Sequence, residues 1–161
     1  MSFIERLLDF LTARRVTIAG ESMLPSLRPG DRVVFSSRVY RKTRPARGDV
    51  VLLRSVDDPE RTEVKRVVGM PGETLQVRDG RVWVGGSPPA EPYLPPANQT
   101  QEGDTPEAEG DQTASAWPAW TLDEDEYFVM GDNRRHDHVI DSRRYGPVPR
   151  SRIVGRMERR F

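Results

Sequence analysis

Three segments of this 161-residue chain carry side chains suited to making and breaking covalent bonds. Ser22 sits in GESMLPSLRPGD, a Gly-flanked turn directly after an apolar run, where a hydroxyl is held exposed on a fixed backbone. A serine hydroxyl becomes a nucleophile only when a base takes its proton. By itself a Ser in a turn is more often structural; Met23 and Pro25 stiffen this one and add apolar contact. Lys65 lies in TEVKRVVGMPGE, where β alternation puts Val64, Arg66 and Val68 on one face and Glu63, Lys65 and Val67 on the other. Burial disfavours the ammonium form and lowers a lysine pKa by up to about 3 to 5 units, freeing a neutral amine near pH 7. Arg stays protonated and cannot serve this way. The plainer alternative is a lysine that snorkels past its neighbours into water.

The third segment, GDNRRHDHVIDSRRYGPVP, is a polar, Arg-rich loop after the apolar run EYFVM. Asp132, His136, Asp137, His138 and Asp141 could ligate a divalent metal, or one His could pair with an Asp as the base for Ser22. Both His fall on one loop and the sequence offers no further ligand cluster, so no metal and no organic cofactor are expected. The alternative is a network of Asp, Asn and Arg that closes the fold and braces the site.

The elements that must hold these residues read as mostly β. Short runs, VTIAG, DRVVF, GDVVLLRSV, TEVKRVVG, ETLQVRDGRVWVGG, EYFVMGD and RIVGRME, are separated by Gly, Pro and Asp. Asp79-Gly80 is a tight-hairpin signal, because both residues tolerate the positive φ that such a turn requires. Gly30-Asp31 and Gly48-Asp49 read as turns entering strands. Residues 95–120, acidic and rich in Pro, Gly, Gln, Thr and Ala, read as a flexible excursion between strands, docked back by Trp117 and Trp120. Before the first strand, Ile4, Leu7, Leu8 and Leu11 have helical spacing, with Phe3 and Phe10 at the margins. This predicts an amphipathic helix over residues 1–15, either capping the core or lying on a membrane with Arg14 and Arg15 near the headgroups. Residues 16–161 are then the single β domain.

Composition narrows the function classes. There is no Cys, which excludes disulfides, thiolate metal sites and a cysteine nucleophile. Charges sum to zero, with the acids crowded into residues 87–126 and Arg into residues 131–161, and no basic tract has the layout of a nucleic-acid footprint. Of the 25 basic side chains only Lys42 and Lys65 are lysines, so where Arg fills nearly every positive position a Lys among valines needs its own explanation. No run approaches the roughly 18 apolar residues of a membrane-spanning helix.

Taken together and in order, GESMLPSL, RPARGDVVLL, VKRVVGMPGE, DGRVWVGG with EPYL, and YFVMGDNR with DSRRYGPVPRSRIVG resemble the type I signal peptidases over most of residues 16–161. The resemblance implies an antiparallel signal-peptidase-like β fold and a Ser/Lys dyad, with Ser22 attacking the scissile carbonyl and Lys65 as general base. It also implies substrates that are exported preproteins, cleaved after small residues in an Ala-x-Ala pattern on the extracytoplasmic face of a membrane. It puts the oxyanion hole on the backbone N–H of Ser22, with Gly20 where some members carry a hydroxyl, and Asp132, Asn133, Arg134, Asp137, Asp141, Ser142 and Arg143 in support. Apolar substrate contacts are expected from Ile18, Met23, Pro25, Val33, Val67 and Val129.

The chain departs from the family in two places. GDNR-RHDHVI-DSR is two residues longer than the usual GDNRxxSxDSR, and Asp137 falls where a Ser normally positions the amine. A carboxylate beside Lys65 would favour the ammonium and oppose the base role, whereas His138 or Ser142 there would not. The family's N-terminal anchor is also missing, which leaves a short form lying on the membrane and a piece of a longer gene product as alternatives. Two rival readings are a LexA-like self-cleaving Ser/Lys peptidase, for which no helix-turn-helix is present, and a non-catalytic module that binds signal peptides.

Overall fold

The computed structural model describes residues 13–95, 117–134 and 140–161. Among these, ten strands form: β1 (Ala13–Thr17), β2 (Arg32–Ser36), β3 (Val50–Arg54), β4 (Thr62–Gly69), β5 (Thr74–Arg78), β6 (Arg81–Val84), β7 (Trp120–Thr121), β8 (Glu126–Met130), β9 (Val148–Pro149) and β10 (Ile153–Arg160). The only α-helix described is one turn, α1 (Ser142–Tyr145). Seven strands make one sheet in the order β1-β2-β10-β3-β4-β8-β9, and three make a second in the order β6-β5-β7; every pairing is antiparallel.

The runs that look continuously apolar are strands covered on both faces. In β3, Val50 and Leu52 enter one core cluster with Ile18, Met23, Leu27, Val33 and Phe35, while Val51 and Leu53 enter another with Val67, Tyr127, Val129, Val148 and Ile153. A third cluster joins Val68, Phe128 and Met130 of the large sheet to Leu75, Val77 and Val82 of the small one. Gly69 lies at this join because a side chain there would collide with Leu75 and come within 2.7 Å of Phe128 Cβ. The Asp79-Gly80 hairpin forms as expected, with φ of 50° and 73° and Arg78 paired to Arg81. Trp120 docks as read, its ring 4.8 Å from Phe128, and Trp117 follows at 6.5 Å from Trp120.

One boundary moves. Ala13, Arg14 and Arg15, expected at the end of a helix, are strand, paired with Ser36, Phe35 and Val34. The pairing satisfies the outer backbone edge of β2 and leaves the two Arg side chains exposed, which a strand does as readily as a helix end. The rest of the expected helix, residues 1–12, lies outside the described residues, as do residues 96–116 of the acidic excursion and His136, Asp137 and His138. Among the described residues no helix is long and apolar enough to cross a membrane.

Candidate active site

The Ser22 turn is held at both ends and from behind. Ile18 at its start donates to Asp31 O at 2.9 Å and accepts from Gly30 N at 2.8 Å, and Leu27 N closes the turn on Met23 O at 2.8 Å. Met23 and Leu27 are 1% and 2% exposed, so the turn is anchored by its own apolar residues while Ser22, just before Met23, stays half-buried. Asn133 then clamps it: its N–H donates to Ser22 O at 3.0 Å and its side-chain amide to Glu21 O at 3.2 Å. Gly20 is exposed, and a Cβ built there would meet nothing within 4 Å.

Lys65 comes from β4, opposite Val51 of β3, and only 5% of it is exposed. Burial holds its pKa below the ordinary lysine range, against the opposing pull of the Glu63 and Asp141 carboxylates; Arg143 adds to the lowering. The register of β8 against β4 begins at Arg66, so residues 62–65 have β3 on one side and, among the described residues, no paired strand on the other. Ser22 and Lys65 line one cleft of about 470 Å³, with Val16, Ile18, Met23, Val64 and Ile140 as its apolar walls and Glu21, Asp57, Asp58, Arg61 and Glu63 as charged ones.

The described support residues, Asp132, Asn133, Arg134, Asp141, Ser142 and Arg143, do not line this cleft; they tie its parts together. Arg66, next to Lys65 but on the opposite face, forks onto Asp132 at 2.8 and 2.6 Å, donates to Gly48 O at 2.7 Å and lies 3.8 Å from the Tyr93 ring centroid. Asp132 is fully buried and leads directly into Asn133, so one ion pair couples the lysine strand to the clamp on the serine turn. Arg134 bonds Gly131 O and Gly80 O, both at 2.9 Å, and pairs with Glu91. Asp141, also fully buried, caps α1 at Arg143 N, accepts from Gly131 N at 3.1 Å and takes two bonds from the Arg143 guanidinium at 2.9 and 2.8 Å. With these partners, Asp132 and Asp141 are occupied as anions of Arg rather than free as metal ligands. Ser142 accepts from Val129 N at 3.0 Å and is fully buried, so its hydroxyl braces β8.

Some expected substrate contacts are elsewhere. Val67 and Val129 are 0% exposed and face each other across β4 and β8 in the core. Val67 does share the face of Lys65, but two residues further along β4 that face is roofed by Tyr127 and Val148, which leaves a peptide no access. Val33 is equally buried, and Pro25 is exposed without lining the cleft. Ile18 and Met23 do line it. Sequence reasoning missed Ile140, Ser55 and the acidic pair Asp57–Asp58, none of which carries a local signal for a cleft.

The sequence model described as signal peptidase, peptidase S26, matches residues 4–161. The chain belongs to this signal peptidase family. Among its relatives, a signal peptidase I of Leptolyngbya laminosa is 35% identical over 153 residues, covering 89% of this chain and 66% of that protein. The signal peptidase I V of Bacillus subtilis strain 168 is 32% identical over 139 residues, covering 86% and 79%. A solved signal peptidase I from Enterococcus faecalis V583 superposes with a TM-score of 0.52 at 27% identity, over 72% of this chain and 98% of that one. The mostly antiparallel β architecture is thus the signal peptidase fold, and the resemblance read from the five boxes stands. This chain spans just under two thirds of the Leptolyngbya relative's length.

Proposed function

We propose that this chain is a serine endopeptidase that removes signal peptides from exported preproteins after small residues, with Ser22 as nucleophile and Lys65 as general base. The observation that carries the proposal is a lysine buried to 5% exposure on a β-strand, lining the same cleft as a serine held on a clamped turn. Lys65 Nζ in its neutral form, which burial favours, takes the Ser22 Oγ proton as Oγ attacks the scissile carbonyl carbon. The tetrahedral oxyanion is held by backbone N–H donors at the serine turn. As the intermediate collapses, the Lys65 ammonium returns its proton to the leaving amine, and the ester on Ser22 is hydrolysed by water activated by the same amine. Residues 62–65, with one strand edge unpaired among the described residues, can take an extended substrate by β-addition, and the apolar walls of Ile18, Met23 and Ile140 suit small side chains. Action at the extracytoplasmic face of a membrane, with residues 1–15 at its surface, belongs to the same proposal.

The test is cleavage of a synthetic preprotein peptide with an Ala-x-Ala site in lipid or detergent. Cleavage at that site, absent in Ser22→Ala, supports the peptidase; tight binding of the peptide by both proteins without cleavage favours a non-catalytic module instead. Two further results follow from the geometry. Because the amine must be neutral, kcat/KM rises with pH through the lowered pKa of Lys65 and falls off on the acid side. Gly20→Ser places a hydroxyl two residues before the nucleophile, in open space and with no backbone strain. It is expected to raise kcat by about 10-fold, part of the effect a full oxyanion donor has. An unchanged or lower kcat would place the oxyanion away from Gly20.

A further inference from the structure

Glu63 is a carboxylate at the base that the dyad chemistry does not use. It precedes Lys65 by two residues on β4 and so projects from the same face. Its Oε2 lies 4.0 Å from Lys65 Nζ, and that oxygen is buried with no hydrogen-bond partner. The carboxylate that acts on Lys65 from a neighbouring element, Asp141, is already paired with Arg143, and the other groups facing it there are apolar or neutral. Across β3, Val51 and Leu53 stand opposite Lys65 and Glu63 and are apolar. From the segment leading into α1, Asp141 has both oxygens engaged by Arg143 and Gly131, so its charge is largely matched in place. Tyr145 of α1 has a buried hydroxyl without a partner, kept protonated first by burial and then by Glu63, Asp141 and Asp57, with Arg152 opposing. Of the two carboxylates that act on the amine, Glu63 and Asp141, Glu63 is therefore the one with a buried oxygen that has no hydrogen-bond partner.

We propose that Glu63 is the positioning residue of the dyad, its otherwise unpartnered oxygen forming an ion pair across 4.0 Å that keeps the Lys65 amine in the cleft. This rests on the reading of Lys65 as the base. It gives the enzyme a counterweight: burial frees the amine, and Glu63 limits how far.

The chain's two lysines make the test direct, because Lys42 is exposed and Lys65 is not. Protein labelled with ¹³C-lysine shows two Cε signals, assigned with Lys42→Arg, and each is titrated in wild type, Glu63→Gln and Glu63→Asp. Removing the negative charge in Glu63→Gln is expected to lower the Lys65 midpoint by about one unit, with Glu63→Asp between it and wild type. The acid limb of kcat/KM on the Ala-x-Ala peptide should move to lower pH by the same amount, which a merely structural role would not produce. A Lys65 midpoint that stays put or rises in Glu63→Gln overturns the role of Glu63. Because the titration needs no turnover, that failure is distinct from failure of the dyad, which would appear as a shifted midpoint with activity retained in Lys65→Met.

Discussion

Lys65→Met is expected to lower kcat/KM on the Ala-x-Ala peptide by at least about 10³-fold while the domain stays folded. Methionine matches the length of the lysine stem and has no basic nitrogen, so Ser22 loses the group that accepts its proton and the leaving amine loses its donor. The fold should tolerate the change, because the side chain is 6% exposed beside Val51 and makes no hydrogen bond that the strand needs. Burying a thioether there costs less than burying an amine. The measurement pairs initial rates with a urea unfolding curve. A normal midpoint with lost turnover assigns the loss to chemistry, whereas near-normal turnover would exclude the dyad and revive a histidine base.

Arg66→Ala is expected to cost about 3 to 5 kcal/mol of stability, the largest single effect outside the core. The guanidinium makes both hydrogen bonds to the fully buried Asp132, reaches Gly48 O and stacks on Tyr93, so its removal strands a carboxylate at 0% exposure. The penalty comes mostly from that uncompensated charge. A double variant, Arg66→Met with Asp132→Leu, should therefore recover much of the lost stability in urea unfolding. It should not recover full activity, because Asp132 leads into the Asn133 clamp on Ser22. If the single and double variants unfold at the same urea concentration, the ion pair is not what holds the loop to β4.

The two ends of the proposed reaction were legible in the sequence for different reasons. Ser22 was visible as a motif, a Gly-flanked turn after an apolar run, and Lys65 through the period of two that put it on one face with Val67. Residue type rather than period located the Asp79-Gly80 hairpin and both Gly-Asp turns, where Gly30, Gly48, Asp79 and Gly80 take positive φ. Apolar type misled at Val67 and Val129, because neither residue type nor alternation says what roofs a face further along the strand. The two-residue strands β7 and β9 are too short to show a period and exist only through pairing with β5 and β8. The helix α1 did leave a signal, Asp141 as its cap and Gly146 after its last turn with φ of 83°, within a stretch whose polarity reads as loop. That Glu63 faces the amine could be read from the alternation of β4, whereas Asp141 comes near Lys65 only once the segment leading into α1 docks on the end of β8.

The resulting arrangement divides the work between two layers. Ser22 and Lys65 are presented in the cleft, while Arg66–Asp132, Asn133, Arg134–Glu91 and Asp141–Arg143 fix the strand and turn that carry them. The most direct test of the Ser/Lys chemistry is acylation by a penem, mapped by mass spectrometry in wild type, Ser22→Ala and Lys65→Met. A single adduct on Ser22 in wild type, absent from both variants, is the predicted result. An adduct on another residue, or unimpaired labelling of Ser22 in Lys65→Met, would contradict it.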